Sequence, residues 1–439
     1  MSGIRTEKEF VDKLYKSLDL LFCNFLATKK VVIAIDGASP YSKIILQRKR
    51  RLQSVSKLDV DKITPILLTP GTDFIKKVNN YLQLYINKIQ SRYQYVNVEF
   101  EYLSTELPDE GEIKIFKKML EYSKSDQFTS HLVIGNDADL VVLAVALKTV
   151  PNISILIRHQ GCTEVLSIDR LISRFCSRIP SLVISHNDWR SDFTIVSLMM
   201  GNDYLPKLNY IKYESVWSSY FATVKDAKRT MVVNGKFDRE VLGLFFTKLI
   251  GNLAAKFQKF NEDDYDRDVV VNYLEGLLWC LNMYETGECS MYDYVYKFKS
   301  SPSPTDVKHF LENTNEQIDI PVSDTPPINS DMYTLLVMPK KAKKLVPKQY
   351  QKYMDGELKG IYESEECGEC AKLKGELSKY HKQMHEHRTK HPEDDDGLNV
   401  IKQQIGGVSK AFAKHKKEHP NEFSIKDIER IIKITEGGK

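Results

Sequence analysis

The stretch HLVIGNDADLVVLAVAL, His131–Leu147, decides the fold class. It opens as a short strand, passes through a turn carrying Asp137 and Asp139, and runs on as an apolar helix. A strand feeding directly into a covering helix is the repeating unit of a parallel α/β sheet. Working outward, VVIAIDG (31–37) and VNVEFEYL (96–103) lie upstream, and ISILI (153–157) and LVIS (182–185) lie downstream as further strands. Helical patterns separate them. Thr6 and Glu9 have capping-box spacing before Phe10, Leu14, Leu18, Leu21, Phe22 and Phe25. A basic helix is expected over roughly 41–56, an amphipathic stretch through about 92, and a helix from Asp192 that stops at Gly201.

Beyond about residue 208 the pattern turns mainly helical, with amphipathic segments at Leu242–Phe257 and Val269–Tyr284. Residues 300–330, rich in Ser, Pro, Asp and Thr, read as loops, and PKKAKKLVPKQY follows as a basic segment. After Asp355 the composition shifts to Lys, Glu and His; the acidic run near 394–397 reads as a linker, and SIKDIERIIKI as a short amphipathic helix. Three parts are therefore expected: a core at 1–210, a helical region at 211–355, and a charged extension at 356–439.

A chain of 439 residues, 42% hydrophobic and 28% charged, can bury a sizeable core. No apolar run reaches the roughly 18 residues that span a bilayer. The N-terminus lacks the basic-then-apolar pattern of a secretion signal. Seven cysteines, mostly isolated, fit a reducing compartment, so a cytoplasmic or nuclear location without membrane partners is expected.

The acidic residues carry the chemistry. Asp36 ends one expected strand, Asp137 and Asp139 follow another, Glu110 and Glu112 flank Gly111, and Asp203 follows Gly201 in GNDYLP. Ligands of open α/β sheets bind beyond the carboxyl ends of the strands, where these groups can gather. Clustered carboxylates repel one another, and a hard divalent cation such as magnesium or manganese relieves that repulsion. Each Asp alone also fits a plain turn or capping role. Five basic residues, Lys43, Arg48, Lys49, Arg50 and Arg51, fall between Tyr41 and Leu52 without an acidic one. Lys43, Gln47, Arg50 and Arg51 recur at i, i+4, i+7 and i+8, which places them on one helical face suited to a terminal phosphate.

Taken together, the motifs resemble the 5′-to-3′ exoribonucleases of the Xrn/Rat type. IDGASPYSKIILQRKRRLQS, LTPGTDFIKKV, DEGEIKI, GNDADLVVLA and DFTIVSLMMGNDYLPKL match that family's blocks in order, with Ile113 in place of a His and Tyr204 in place of a Phe. VVNYLEGLLWCLNMYETG and MPKKAKKLVPKQY resemble later blocks, so the likeness spans roughly residues 20–350. It implies a PIN/flap-nuclease-like parallel sheet flanked by helices, followed by a mainly helical second region. It implies that Asp36, Glu110, Glu112, Asp137, Asp139 and Asp203 are the catalytic metal ligands for Mg2+ or Mn2+. It also implies that Lys43, Gln47, Arg50 and Arg51 hold the 5′-monophosphate of a single-stranded RNA that is released as mononucleotides.

The family further has a strand and an Asp upstream of the block that begins near VVIAIDG. This chain starts at MSGIRTEKEF, so the resemblance leads one to expect a sheet short of one strand and a metal site short of one Asp. The family's aromatic tract is reduced here to SMYDYVYKFKSSP. Trp279 matches the family's Trp and is a base-stacking residue or a core residue. Two other readings stay open: a 5′-end-binding protein without nuclease activity, and a structure-specific DNA flap nuclease. In the extension, Cys367, Cys370, His381 and His385 have the paired spacing of a zinc site, and six of the ten histidines lie between 381 and 419; a solvated charged helix is the alternative.

Overall fold

The computed structural model describes residues 4–55, 63–126, 128–159, 162–178, 188–363, 368–390, 395–418 and 423–436. The strands are β1 (Lys30–Ala34), β2 (Glu99–Leu103), β3 (His131–Ile134), β4 (Ile153–His159), β5 (Cys162–Ser167), β6 (Val232–Val233) and β7 (Lys236–Phe237). The helices of the first half are α1 (Glu7–Asn24), α2 (Tyr41–Val55), α3 (Asp73–Gln90), α4 (Gly111–Ser123), α5 (Asp139–Ala146), α6 (Ile168–Cys176) and α7 (Asp188–Leu198). Those of the middle are α8 (Tyr213–Ala227), α9 (Arg239–Gly251), α10 (Arg267–Thr286), α11 (Pro304–Asn313) and α12 (Ser330–Val337). The last are α13 (Lys348–Asp355), α14 (Lys359–Glu363), α15 (Gly368–Lys390), α16 (Asp395–Glu418) and α17 (Ile425–Glu436). Two compact units arise: Met1–Leu46 with Val60–Tyr333, and Gln47–Asp59 with Thr334–Lys439.

In the first unit β1 pairs with β2 in parallel, Lys30 opposite Glu99 through Ala34 opposite Leu103. β3 pairs with β4 in parallel, His131 opposite Ile153, and β5 adds antiparallel to β4. The expected single parallel sheet is thus divided: among the described residues no ladder joins the β1–β2 pair to the β3–β4–β5 sheet. β5 and α6 occupy a stretch in which the sequence pattern assigned no element, whereas LVIS at 182–185 lies outside the described residues.

The local causes are readable. Thr6 caps α1 by accepting from the Glu9 amide at 3.2 Å, but the Glu9 carboxylate turns to the Arg5 amide, so only half of the capping box forms. α3 starts at Thr72, whose hydroxyl accepts from the Ile75 amide, and buries Ile75, Val78, Leu82, Tyr85, Ile86 and Ile89 along one face. Each such side chain contributes about 1.5–3 kcal/mol on leaving water. α1, α3 and the β1–β2 pair close two small cores, one holding Phe10, Ile75, Val78 and Leu82 and the other Tyr85, Ile89, Tyr95 and Val98, with Leu18 packed against both. The main core runs from Ile113 on α4 through α5 and the β3–β4 pair to α8, α9, α10 and Ile318.

Residues 300–330 are not all loop. α11 forms there because Pro304 occupies its first turn and Ser303 and Asp306 complete a reciprocal capping box. In the second unit Arg48 is fully buried, its guanidinium 4.7 Å from the Tyr362 ring and 4.1 Å from the Phe423 ring, and it donates to the Leu336 carbonyl. One of the five clustered basic residues is therefore a core residue. SIKDIERIIKI forms α17, with Ile428 and Ile431 buried. Among the described residues no helix is long and apolar enough to cross a membrane.

Candidate active site

Asp36 and Glu110 come together because the loops after β1 and β2 are tied to one another. β1 ends at Ala34, and the chain continues through Ile35 and Asp36 into Gly37. The Gly37 amide donates to the Asp109 carbonyl at 2.8 Å, and the Asp109 amide donates back to the Ala38 carbonyl at 2.9 Å. Asp109 adopts a left-handed φ of 73° to make this turn. Glu110 then occupies the position before α4 without a side-chain capping bond, and Gly111 donates its amide to Asp36 Oδ1 at 2.8 Å. A Cβ on Gly111 would lie 3.2 Å from that oxygen, so a glycine lets α4 start this close to the strand end.

The second group follows β3. Asp137 Oδ1 accepts from the Asp139 amide at 3.0 Å and so starts α5, while Asn136 Oδ1 accepts from the Arg158 amide at 2.9 Å. The third group follows α7: Gly201 has φ of +91°, and Asn202 Oδ1 accepts from the amides of Tyr204 and Leu205 at 3.0 and 2.7 Å, which sets Asp203 in place. The three groups are electrostatically linked. The Glu112 carboxyl is pushed up to about 8 by burial first and then by Glu110, with Asp137 and Asp139 adding to it. Asp139 is pushed up to about 6 by burial, Asp137 and Asp203, and Asp36 acts on Glu110.

Lys43, near the start of α2, reaches into this cluster. Its Nζ pairs with Glu110 and lies 2.8 Å from Asp203 Oδ2. Burial alone would lower its pKa, but the charge of Glu110 and the bond to Asp203 outweigh it and hold the ammonium charged. Tyr204 donates its hydroxyl to Glu110 Oε2 at 2.6 Å, and the Lys43 ammonium sits 5.5 Å from its ring centre. Lys114, one turn along α4, donates to the carbonyls of Ile35 and Ser104 at 2.8 and 2.9 Å and clasps the ends of β1 and β2. Burial lowers its pKa to about 8.

The sequence pattern did not single out Tyr204 or Lys114 as site residues. The signal available was a hydroxyl where the resembling family has a phenyl ring, and a lysine between Ile113 and Ile115 at the start of α4. Gln47, Arg50 and Arg51 belong to the second unit; on α2, Gln47 and Arg51 are half-buried and Arg50 is exposed. Trp279 is corrected from base stacking to packing. It is fully buried, stacked on Tyr294 at 4.7 Å, edge-on to Tyr204, and donates its indole N–H to the Met291 carbonyl.

The donor set fits a hard divalent cation: every group offered is a carboxylate oxygen, and the raised carboxyls are those that a nearby cation would return to the charged form. Among the described residues no three acidic side chains close on one point as a ready cage. Among the described residues the zinc arrangement is not brought together. Cys370, His381 and His385 all lie on the continuous helix α15, and an eleven-residue separation corresponds to about 16 Å of rise, too far for one tetrahedral site. Cys367 lies outside the described residues.

Two family models match the chain. The N-terminal region of XRN 5′-3′ exonucleases matches residues 2–65 and 56–159, and the Xrn1 helical domain matches 253–372. The chain belongs to the XRN 5′-3′ exoribonuclease family. It is similar to 5′-3′ exoribonuclease 1 of Saccharomyces cerevisiae, 27% identical over 318 residues, or 62% of this chain and 20% of the yeast protein. Human 5′-3′ exoribonuclease 1 is 30% identical over 162 residues, 32% of this chain and 9% of the human protein. 5′-3′ exoribonuclease 2 of Schizosaccharomyces pombe is 27% identical over 200 residues, 38% of this chain and 20% of that protein. This XRN-family chain therefore aligns with a fifth or less of each of these three relatives.

Proposed function

We propose that this chain hydrolyses 5′-monophosphorylated single-stranded RNA from its 5′ end, releasing mononucleotides with Mg2+ or Mn2+. The observation that carries this reading is the Lys43 ammonium paired with Glu110 and Asp203, carboxylates of two separate loops, with Glu112, Asp137 and Asp139 coupled to them and Asp36 to Glu110. When bound, a divalent cation would polarise the phosphodiester and sharpen the attacking water. The six carboxylates would hold and orient that cation set. Tyr204 fixes the rotamer of Glu110, and Lys114 keeps the strand ends from separating. Lys43, Gln47, Arg50 and Arg51 would bind the terminal phosphate oxygens, and each cut would present a fresh 5′-phosphate to the same groups.

The test supplies the purified chain with RNAs bearing 5′-monophosphate, 5′-hydroxyl or 5′-triphosphate ends, with Mg2+ or with chelator. Mononucleotides should appear from the monophosphate substrate at least about 10-fold faster than from the others, and not with chelator. Asp139→Ala and Asp203→Ala should each lower release by about 10²-fold or more while leaving RNA binding in place. Equal rates on all three ends would sink the phosphate assignment. Phosphate-dependent binding without release would favour a 5′-end-binding protein, and faster cutting of branched duplex DNA would favour a flap nuclease.

A further inference from the structure

We infer that Lys43 is the resident counter-ion of the carboxylate cluster and leaves it when a divalent cation loads, an exchange that rests on the nuclease reading above. The geometry makes the two cations alternatives. The Lys43 ammonium is paired with Glu110 and lies 2.8 Å from Asp203, so it uses oxygens that a divalent ion would take at about 2.0–2.6 Å. The Lys43 and Glu110 side chains are only 8% and 11% exposed, so the pair is largely shielded from water.

Charge favours the exchange. One ammonium faces Glu110 and Asp203 directly, with Asp36, Glu112, Asp137 and Asp139 around them, so a doubly charged ion is the better match. The movement needs only the side chain. The first turn of α2 is held by the Tyr41 amide on the Tyr292 carbonyl at 2.9 Å and the Ser42 amide on the Tyr294 carbonyl at 3.2 Å, while the four-carbon lysine stem can rotate. Once displaced, the ammonium becomes a donor for a phosphate oxygen. Cation loading then precedes and strengthens phosphate capture, and by linkage phosphate strengthens cation binding.

The test measures Mn2+ binding by titration calorimetry on the full chain and on Lys43→Met and Lys43→Arg. Removing the competing charge should tighten Mn2+ binding at least about tenfold in Lys43→Met. Lys43→Arg keeps the charge and should stay near the wild-type affinity. The metal-free melting temperature of Lys43→Met should fall, and saturating Mn2+ should restore it. Mn2+ affinity that is unchanged or weaker in Lys43→Met overturns the exchange. A measurement on the unmodified protein covers the case in which that variant fails to fold: acetylation of Lys43, read by mass spectrometry, should rise with Mn2+. Labelling that Mn2+ leaves unchanged overturns it as well. Absence of Mn2+ binding in every variant removes the metal-site reading itself, and the exchange with it.

Discussion

Tyr204 illustrates how one atom can matter at the site. Its ring is 7% exposed and packs edge-on against Trp279 at 5.3 Å, while its hydroxyl donates to Glu110 Oε2 at 2.6 Å. Glu110 is a buried acceptor, and a buried acceptor that loses a donor bears a cost of about 1–3 kcal/mol. Tyr204→Phe keeps the packing and removes only that donor. Urea unfolding should therefore show a loss of about 1–3 kcal/mol, and an unchanged free energy would mean that the hydroxyl does not support the cluster.

At the level of elements, the site depends on how the ends of β1 and β2 are laced to the start of α4. Gly37 is where the lacing is tightest: a Cβ there would lie 1.8 Å from the Leu107 carbonyl oxygen, a backbone atom that can yield only if the turn moves. Gly37→Ala should destabilise by at least about 1–3 kcal/mol, the usual cost of overpacking. Gly243, inside α9, is the matched comparison, since a Cβ there meets nothing within 4 Å. Gly243→Ala should be neutral or stabilising by up to about 1 kcal/mol. The two melting curves should shift in opposite directions or, at the least, only Gly37→Ala should fall; equal behaviour would show that the turn is not rigid.

For the whole first unit, cohesion runs through Asp192, which is fully buried on α7. It accepts from the amides of Met231 and Val232 at 2.9 Å each and from the Tyr220 hydroxyl at 3.2 Å, joining α7 to α8 and β6. Burial pushes its carboxyl up to about 7 from an ordinary 3.8. With the folded value raised, its contribution is fully present below the unfolded pKa and is lost as pH rises through the folded one. Stability should fall between about pH 4 and 7 by up to ~1.4 kcal/mol per pH unit from this group. Asp192→Asn removes the titration and should flatten that decline when unfolding is measured at pH 5 and 7. A decline of the same steepness in the variant would assign it to other groups.

Strand-ending carboxylates, helix α2 and the helical middle region were legible in the sequence because each depends on residues a few positions apart. The periodicity of α3 and the caps at Thr6 and Thr72 are of the same local kind. Tertiary structure decided the rest. It drew Lys43 into the acids, buried Arg48 and Trp279, divided the parallel strands into two hydrogen-bonded sets, and gave Tyr204 and Lys114 their roles. α11 is a partial exception, since Ser303 and Asp306 were local signals hidden by a loop-like composition. The others rest on contacts between residues tens to hundreds of positions apart. Whether a charged or aromatic side chain faces a partner or water is settled only when those distant segments meet, since the cost of burial is repaid by partners that the local sequence does not contain.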